Sequence, residues 1–223
     1  EHGYYWASRH INTEKVFQFM PDNLPAHAEF WLDREDRPYT ADDTIIKNDA
    51  CEVEFAPLAK GKQFIGIQGQ LWSENTRTNN MAEYKLFPRL LSLAQRAWHK
   101  AQWAVPYDHN GFVYSRNTQR FTPSLKQQRD QQWLTFAASL GLKEFNKLER
   151  ANVHFRIANA GAKIENGMLY ANVAYPGLLI EYMQAGGQWQ TYNAPVKVTQ
   201  DVWVRSKLPI SGRVSRTLKV TQP

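Results

Sequence analysis

The chain has 223 residues, 43% of them hydrophobic and 22% charged, which excludes a disordered polymer and allows one large domain or two modest ones. Its one cysteine, Cys51, excludes a disulfide framework within the chain, though it could pair with a cysteine outside it; no stretch approaches the ~18 apolar residues of a membrane span. The net charge of +6 is concentrated in residues 151–223, where eight Lys/Arg face three acids, but these are dispersed along alternating segments. That spread suits a solvated sheet face better than a nucleic-acid interface, so no nucleic-acid partner is expected.

In chain order, "EHGYYW" opens the sequence on a dense aromatic run, a terminus that points to a piece of a longer protein. Met20 to Pro25, "MPDNLP", brackets Asp22-Asn23 with prolines and predicts a turn or helix cap. Asp33 to Asp49 is polar and reads as an exposed excursion. "KQFIGIQGQLW", Lys62 to Trp72, has the composition and length of a parallel strand covered on both faces. Tyr84, Phe87, Leu91, Ala94 and Trp98, with Leu90 and Ala97 beside them, then recur at helical spacing; Pro88 must kink this helix or open its main segment. Strand, polar loop and helix make the βα unit of an α/β protein.

A second helix is expected from about Ser124 to Arg150, with Trp133, Phe136, Ala137, Leu140, Phe145 and Leu148 inward and Gly141 weakening its middle. From Val153 onward eight short strand-like segments are punctuated by glycines, the pattern of a small β-sandwich, so a boundary is expected near Ala151. A single βα unit cannot cover both faces of its own strand. The first 150 residues therefore read as the end of a larger sheet or barrel.

Signatures of nucleophilic, metal-dependent and phosphate-binding sites are weak. There is no Gly-x-Ser-x-Gly, no His-Glu-x-x-His, no cysteine pair and no Gly-rich loop opening a helix. The end of the expected strand is different. Trp72 and Glu74 lie two residues apart, so in an extended segment they point the same way. An indole can pack on a pyranose while a carboxylate accepts hydrogen bonds from its hydroxyls. Equally, Trp72 could plug a core and Glu74 could cap the following helix.

At these residues a family resemblance emerges. "GQLWSENTRTNNMAEYKLFPRLLSLAQRAWHKAQW", Gly69 to Trp103, closely resembles the last barrel strand and following helix of glycoside hydrolase family 20, the β-N-acetylhexosaminidases, and their bacterial chitobiase branch in particular. "GYYWASRHINTEKVFQFMPDNLPAHAE", Gly3 to Glu29, is similar to the segment after the seventh strand of those enzymes. "WLTFAASLGLKEFNKLERANVHFRI", Trp133 to Ile157, is similar to their closing helix and entry to the C-terminal sandwich.

The resemblance implies an α/β plus all-β chain: residues 1–150 as the incomplete C-terminal end of a (β/α)8 TIM barrel, and 151–223 as an immunoglobulin-like β-sandwich. It implies substrate-binding roles for three residues. Trp72 would line the pocket for the non-reducing N-acetylglucosamine, Glu74 would bond that sugar's outer hydroxyls, and Trp6 would stack on the next sugar. Arg77 also fits the family pattern, with a structural salt bridge as its expected role. No catalytic residue is expected within the chain. The family's adjacent Asp-Glu pair has no counterpart here, because no Asp-Glu dipeptide occurs, and an Asp and Tyr at the end of the seventh strand would precede Glu1. The segment from Trp31 to Gln63 is also longer than the family pattern.

The implied chemistry is hydrolysis of terminal N-acetylhexosamine with retention, the substrate's own acetamido group attacking the anomeric carbon, without cofactor or metal. The implied partners are N-acetylglucosamine oligosaccharides, the N-terminal remainder of the same protein, and a second copy covering the face around Ile65, Ile67 and Leu71. The implied location is periplasmic or secreted, or anchored at the outer membrane through a part outside this chain. The rival reading is a non-catalytic carbohydrate-binding or structural sandwich, with Trp189, Tyr192 and Trp203 as an aromatic platform or, more plainly, as core and interface filling.

Overall fold

The computed structural model describes residues 12–32, 37–38, 59–62, 64–71, 75–110 and 114–222. They fall into two compact units, one of Glu1–Gln70 with Arg89–Trp133, the other of Leu71–Pro88 with Leu134–Pro223. Cys51 and most of the polar excursion after Asp33 lie outside the described residues.

The first unit begins with α1 (Thr13–Phe17), started by Asn12, whose side chain accepts from the Lys15 amide at 2.9 Å. The expected turn at Asp22-Asn23 is a 3-10 helix, Leu24–Glu29, capped by Asn23 and carrying Pro25 in its first turn. The apolar helix expected around Pro88 is two helices, α2 (Asn79–Leu86) and α3 (Arg89–Trp98). Proline has no amide to donate to the preceding turn, so α2 stops before it and α3 starts after it.

Within the first unit, α3 packs on α1. Its inward residues are Arg89, Ser92 and Arg96, whereas Leu90 and Ala94 are exposed and Trp98 is 96% exposed. The apolar stripe read as core is therefore the outer face of α3. Phe17 supplies the aromatic centre, 5.4 Å from the Trp133 ring and 6.2 Å from the Trp103 ring.

The parallel strand expected over Lys62–Trp72 is corrected. Residues 64–71 carry no β-ladder, and Phe64 and Ile65 are exposed. A parallel strand is held by hydrogen bonds to neighbours, and no described segment pairs with this one. The segment nevertheless runs close along α3, since a Cβ on Gly69 would come within 2.5 Å of Leu93 Cδ2. All sheets among the described residues are antiparallel and lie within residues 161–220.

The second expected helix forms as α4 (Pro123–Ser139), a π turn (Leu140–Glu144) and α5 (Phe145–Arg150). Gly141 sits in the wide turn for a steric reason: a Cβ there would collide with the Pro176 carbonyl oxygen. Gly177, at φ +102°, completes this close crossing from the other side. Beyond it Phe145 packs on Phe155 and Tyr175, with ring centroids 4.9 and 5.0 Å away.

Seven of the eight expected strand segments contain a strand. The strands are β1 (Gly161–Glu165), β2 (Met168–Asn172), β3 (Leu179–Gln184), β4 (Gln190–Thr191), β5 (Val196–Lys197), β6 (Val202–Lys207) and β7 (Leu218–Val220). "VHFRI", Val153–Ile157, stays outside the ladders although Phe155 and Ile157 are buried. One sheet has the order β1-β2-β5, the other β4-β3-β6-β7. Leu169 from the first meets Ile180, Tyr182, Val202 and Val204 from the second in one shared core. β6 shows why it folds so: Val202, Val204 and Ser206 point inward while Trp203, Arg205 and Lys207 alternate outward.

Candidate functional site

Trp72, Glu74 and Trp6 lie outside the described residues, so the site is bounded by what flanks it. On the far side of Glu74, Thr78 begins α2, its hydroxyl accepting from the Met81 amide at 3.2 Å. The capping role weighed for Glu74 is thus filled by Thr78. Lys85 reaches back from α2 to donate to the Thr76 hydroxyl at 2.9 Å, holding the approach loop against the helix. Arg77 is exposed and forms no ion pair among the described residues, so its expected salt bridge is not seen.

The first unit holds three polar centres that sequence reading missed. Asn23 is a latch: besides capping, its amide donates to the Val105 carbonyl at 3.0 Å and the Tyr114 hydroxyl at 3.1 Å. Glu29 is a clamp, one oxygen accepting from the Thr118 hydroxyl (2.7 Å) and Arg120 amide (3.0 Å), the other from the Phe121 amide (2.7 Å). With its lone pairs so engaged, this carboxylate organises a loop and does not offer a free base.

The third centre is Arg96. Its guanidinium is 4.6 Å over the Phe17 ring and 5.4 Å from the Trp103 ring, in a residue only 6% exposed. Burial lowers its pKa to about 10, and its Nε and Nη2 have no hydrogen-bond partner among the described residues. A signal existed for it, because Arg89, Ser92 and Arg96 repeat at helical spacing as regularly as the apolar stripe opposite.

The proposed aromatic platform is split by the structure. Tyr192 faces the shared core, its hydroxyl accepting from the Ala171 amide at 3.0 Å and its ring edge-on to Tyr182. Trp203 and Trp189 lie on the outer face of the four-stranded sheet, with the Arg205 guanidinium 3.9 Å over the Trp189 ring and Lys219 Nζ 5.6 Å from that of Trp203. On the same face Glu181 receives Arg205 at 2.7 Å and Lys207 at 2.7 Å. Burial alone would raise the Glu181 pKa, but the hydrogen bonds from Lys207 and Arg205 outweigh it and hold the carboxyl below its usual range. Five of the eight cations after residue 150 are tied to carboxylates, which matches the solvated-face reading of the basic half.

Comparison with known proteins meets these features in order along the chain. Residues 14–101 match the family model "Glycosyl hydrolase family 20, catalytic domain", and residues 144–217 match "Chitobiase/beta-hexosaminidase C-terminal domain". N,N'-diacetylchitobiase of Vibrio harveyi is 38% identical over 222 residues, 99% of this chain and 23% of that protein. Beta-hexosaminidase B of Pseudoalteromonas piscicida is 48% identical over 141 residues, 63% of this chain and 17% of its own. Beta-hexosaminidase of Vibrio vulnificus is 35% identical over 227 residues, covering 99% of this chain and 25% of its own. The chain spans about a quarter of the length of the two relatives that it matches throughout. With both domain matches in the same order as its two kinds of structure, the chain belongs to glycoside hydrolase family 20, of which it carries a stretch of the catalytic domain and the chitobiase/β-hexosaminidase C-terminal domain.

Proposed function

We propose that the whole protein of which this chain is a portion is a β-N-acetylhexosaminidase of the chitobiase kind. It removes terminal N-acetylglucosamine from chitobiose and short chito-oligosaccharides with retention of configuration. The observation that carries this reading is the 38% identity to a diacetylchitobiase over 99% of the chain. In it, residues 1–150 are the closing part of a TIM barrel and 151–223 an immunoglobulin-like sandwich. The antiparallel two-sheet core of the second region supports the latter assignment.

Trp72 walls the sugar pocket and keeps the acetamido group near the anomeric carbon, a positioning role. Glu74 binds the outer hydroxyls and Trp6 holds the second sugar; that Thr78, and not Glu74, caps α2 supports this reading. The proton donor and the group orienting the acetamide come from the Asp-Glu pair that this chain lacks. The 223-residue chain alone is therefore expected to release no N-acetylglucosamine from chitobiose, while the full-length protein does. In that protein Glu74→Gln is expected to raise KM more than it lowers kcat. Release by a mass-verified sample of the short chain, or an inactive full-length protein, would overturn the proposal.

The same reading puts the protein in the periplasm or outside the cell, where chitin fragments are encountered; cell fractionation with an antibody to residues 151–223 checks it. For the isolated chain we infer a second copy covering Ile65 and its neighbours, which are exposed. A monomer by light scattering at high concentration would count against that pairing.

A further inference from the structure

The outer face of the four-stranded sheet has no part in the chemistry above. Trp203 on β6 pairs with Met183 on β3 and with Lys219 on β7. Trp189 directly precedes β4, one residue beyond the paired Gln190 and Tyr182, so it continues the same cross-strand row on the other side of Met183. The row thus reads Trp189, Met183, Trp203, Lys219 across four strands. Strands two apart are separated by about 10 Å, which sets the backbone spacing of the two tryptophans. Both indoles are half-buried, anchored yet reachable, whereas the alternate residues Val202 and Val204 are sealed in the core.

The platform is also held in place. Arg205 donates through Nε to Glu181 at 2.8 Å while its guanidinium covers Trp189 at 3.9 Å, so one buried carboxylate fixes the cation that fixes the ring. A ring already immobilised loses little entropy on meeting a flat ligand. The charges on this face are committed: Arg205 and Lys207 to Glu181, and Lys219 to Asp201 at 2.9 Å. Three cations against two carboxylates leave a nearly neutral surface with many polar donors around two indoles. That complements a neutral, hydroxyl-rich chain with flat apolar ring faces and does not suit a polyanion, which gains its affinity from unpaired cations.

We propose that the Trp189–Met183–Trp203 row is a binding surface for a β-1,4-linked N-acetylglucosamine chain, taking alternate sugars on its two indoles. The surface tethers polymer through residues that have no part in the reaction. Only the choice of sugar rests on the function proposed above. Retention of the 223-residue chain on chitin beads in 1 M salt tests it, since that salt suppresses purely ionic binding.

Trp189→Ala and Trp203→Ala are each expected to lower retention at least tenfold, with Trp203→Tyr retained and Trp98→Ala, a change to an exposed tryptophan of α3, without effect. Near-ultraviolet circular dichroism checks that each variant is folded. If Trp203→Ala is not, Trp189→Ala, just outside the paired strands, decides alone. No retention of the parent chain, equal retention of folded Trp189→Ala, loss in Trp98→Ala, or displacement by a single-stranded oligonucleotide overturns the proposal. Hydrolysis of soluble chitobiose by the full-length protein is scored separately. An active enzyme whose short chain ignores chitin sinks this surface alone, and a retained short chain from an inactive protein sinks the function alone.

Discussion

Two arginine environments separate the two regions of the molecule. In the C-terminal sheet, Arg205 shares Glu181 with Lys207, and each cation meets its carboxylate at 2.7 Å. In the N-terminal unit, Arg96 is buried against Phe17 and Trp103, with two nitrogens lacking a partner among the described residues. Thr13 Oγ1, Ser92 Oγ and Trp103 Nε1 nearby share that condition. Among the described residues the sheet region leaves one buried side-chain nitrogen, Arg213 Nε, without a hydrogen bond. The helical unit relies on ring faces to solvate a cation, a weaker substitute for a carboxylate.

The contrast breaks first at the crossing that builds the second region. Gly141→Ala drives a methyl into the Pro176 carbonyl and is expected to cost about 3 kcal/mol, read as a lowered midpoint in urea denaturation. An unchanged midpoint would mean that the π turn relaxes freely.

Next comes the charge cluster. Glu181→Gln is expected to cost about 1 kcal/mol at pH 7, a modest value because water screens the partly exposed Lys207. The folded-state pKa of Glu181 is depressed, so its contribution is present above the unfolded carboxylate pKa and is lost as pH falls through the folded value. Wild type and variant should therefore converge in stability on acidification below about pH 4. Curves that stay parallel there would remove the electrostatic explanation.

The smallest change is expected at Arg96. Arg96→Met keeps the packed stem and removes a desolvated charge, so stability should shift by less than about 1 kcal/mol or rise. A loss above about 3 kcal/mol would show that Arg96 has an ionic partner and erase the contrast between the regions.

Legibility in the sequence followed the same division. In "VWVRSKL" the alternation reproduces the inward and outward residues of β6, because a half-buried antiparallel strand writes its environment at period two. The same parity separates Trp189 from Tyr192, three residues apart and on opposite faces, although only the cross-strand register puts Trp189 and Trp203 in one row. On α3 the periodicity was plain but its direction was not. Apolar Trp98 is outside and Arg96 inside because Trp103 and Phe17, the latter distant in sequence, supply ring faces that accept a guanidinium. "KQFIGIQGQLW" carries strand composition without a ladder, since composition specifies a willing strand and only a neighbour makes one. For the site, residue types at Trp72 and Glu74 suggested a sugar or a helix cap, and the structure gives the cap of α2 to the Thr78 hydroxyl on the Met81 amide.

The Asn23 latch has a consequence for the order in which the molecule is made. Its partners Val105 and Tyr114 follow it by 82 and 91 residues, and those of Glu29 by about ninety. During synthesis the 3-10 helix leaves the ribosome several seconds before its long-range partners exist, at about 5–20 residues per second. The β1–β2 hairpin, by contrast, joins Glu165 to Met168 and can zip as it emerges. The helical unit stays unsealed until Phe121 has been made, and its aromatic cluster is open to water and to chaperones throughout that delay.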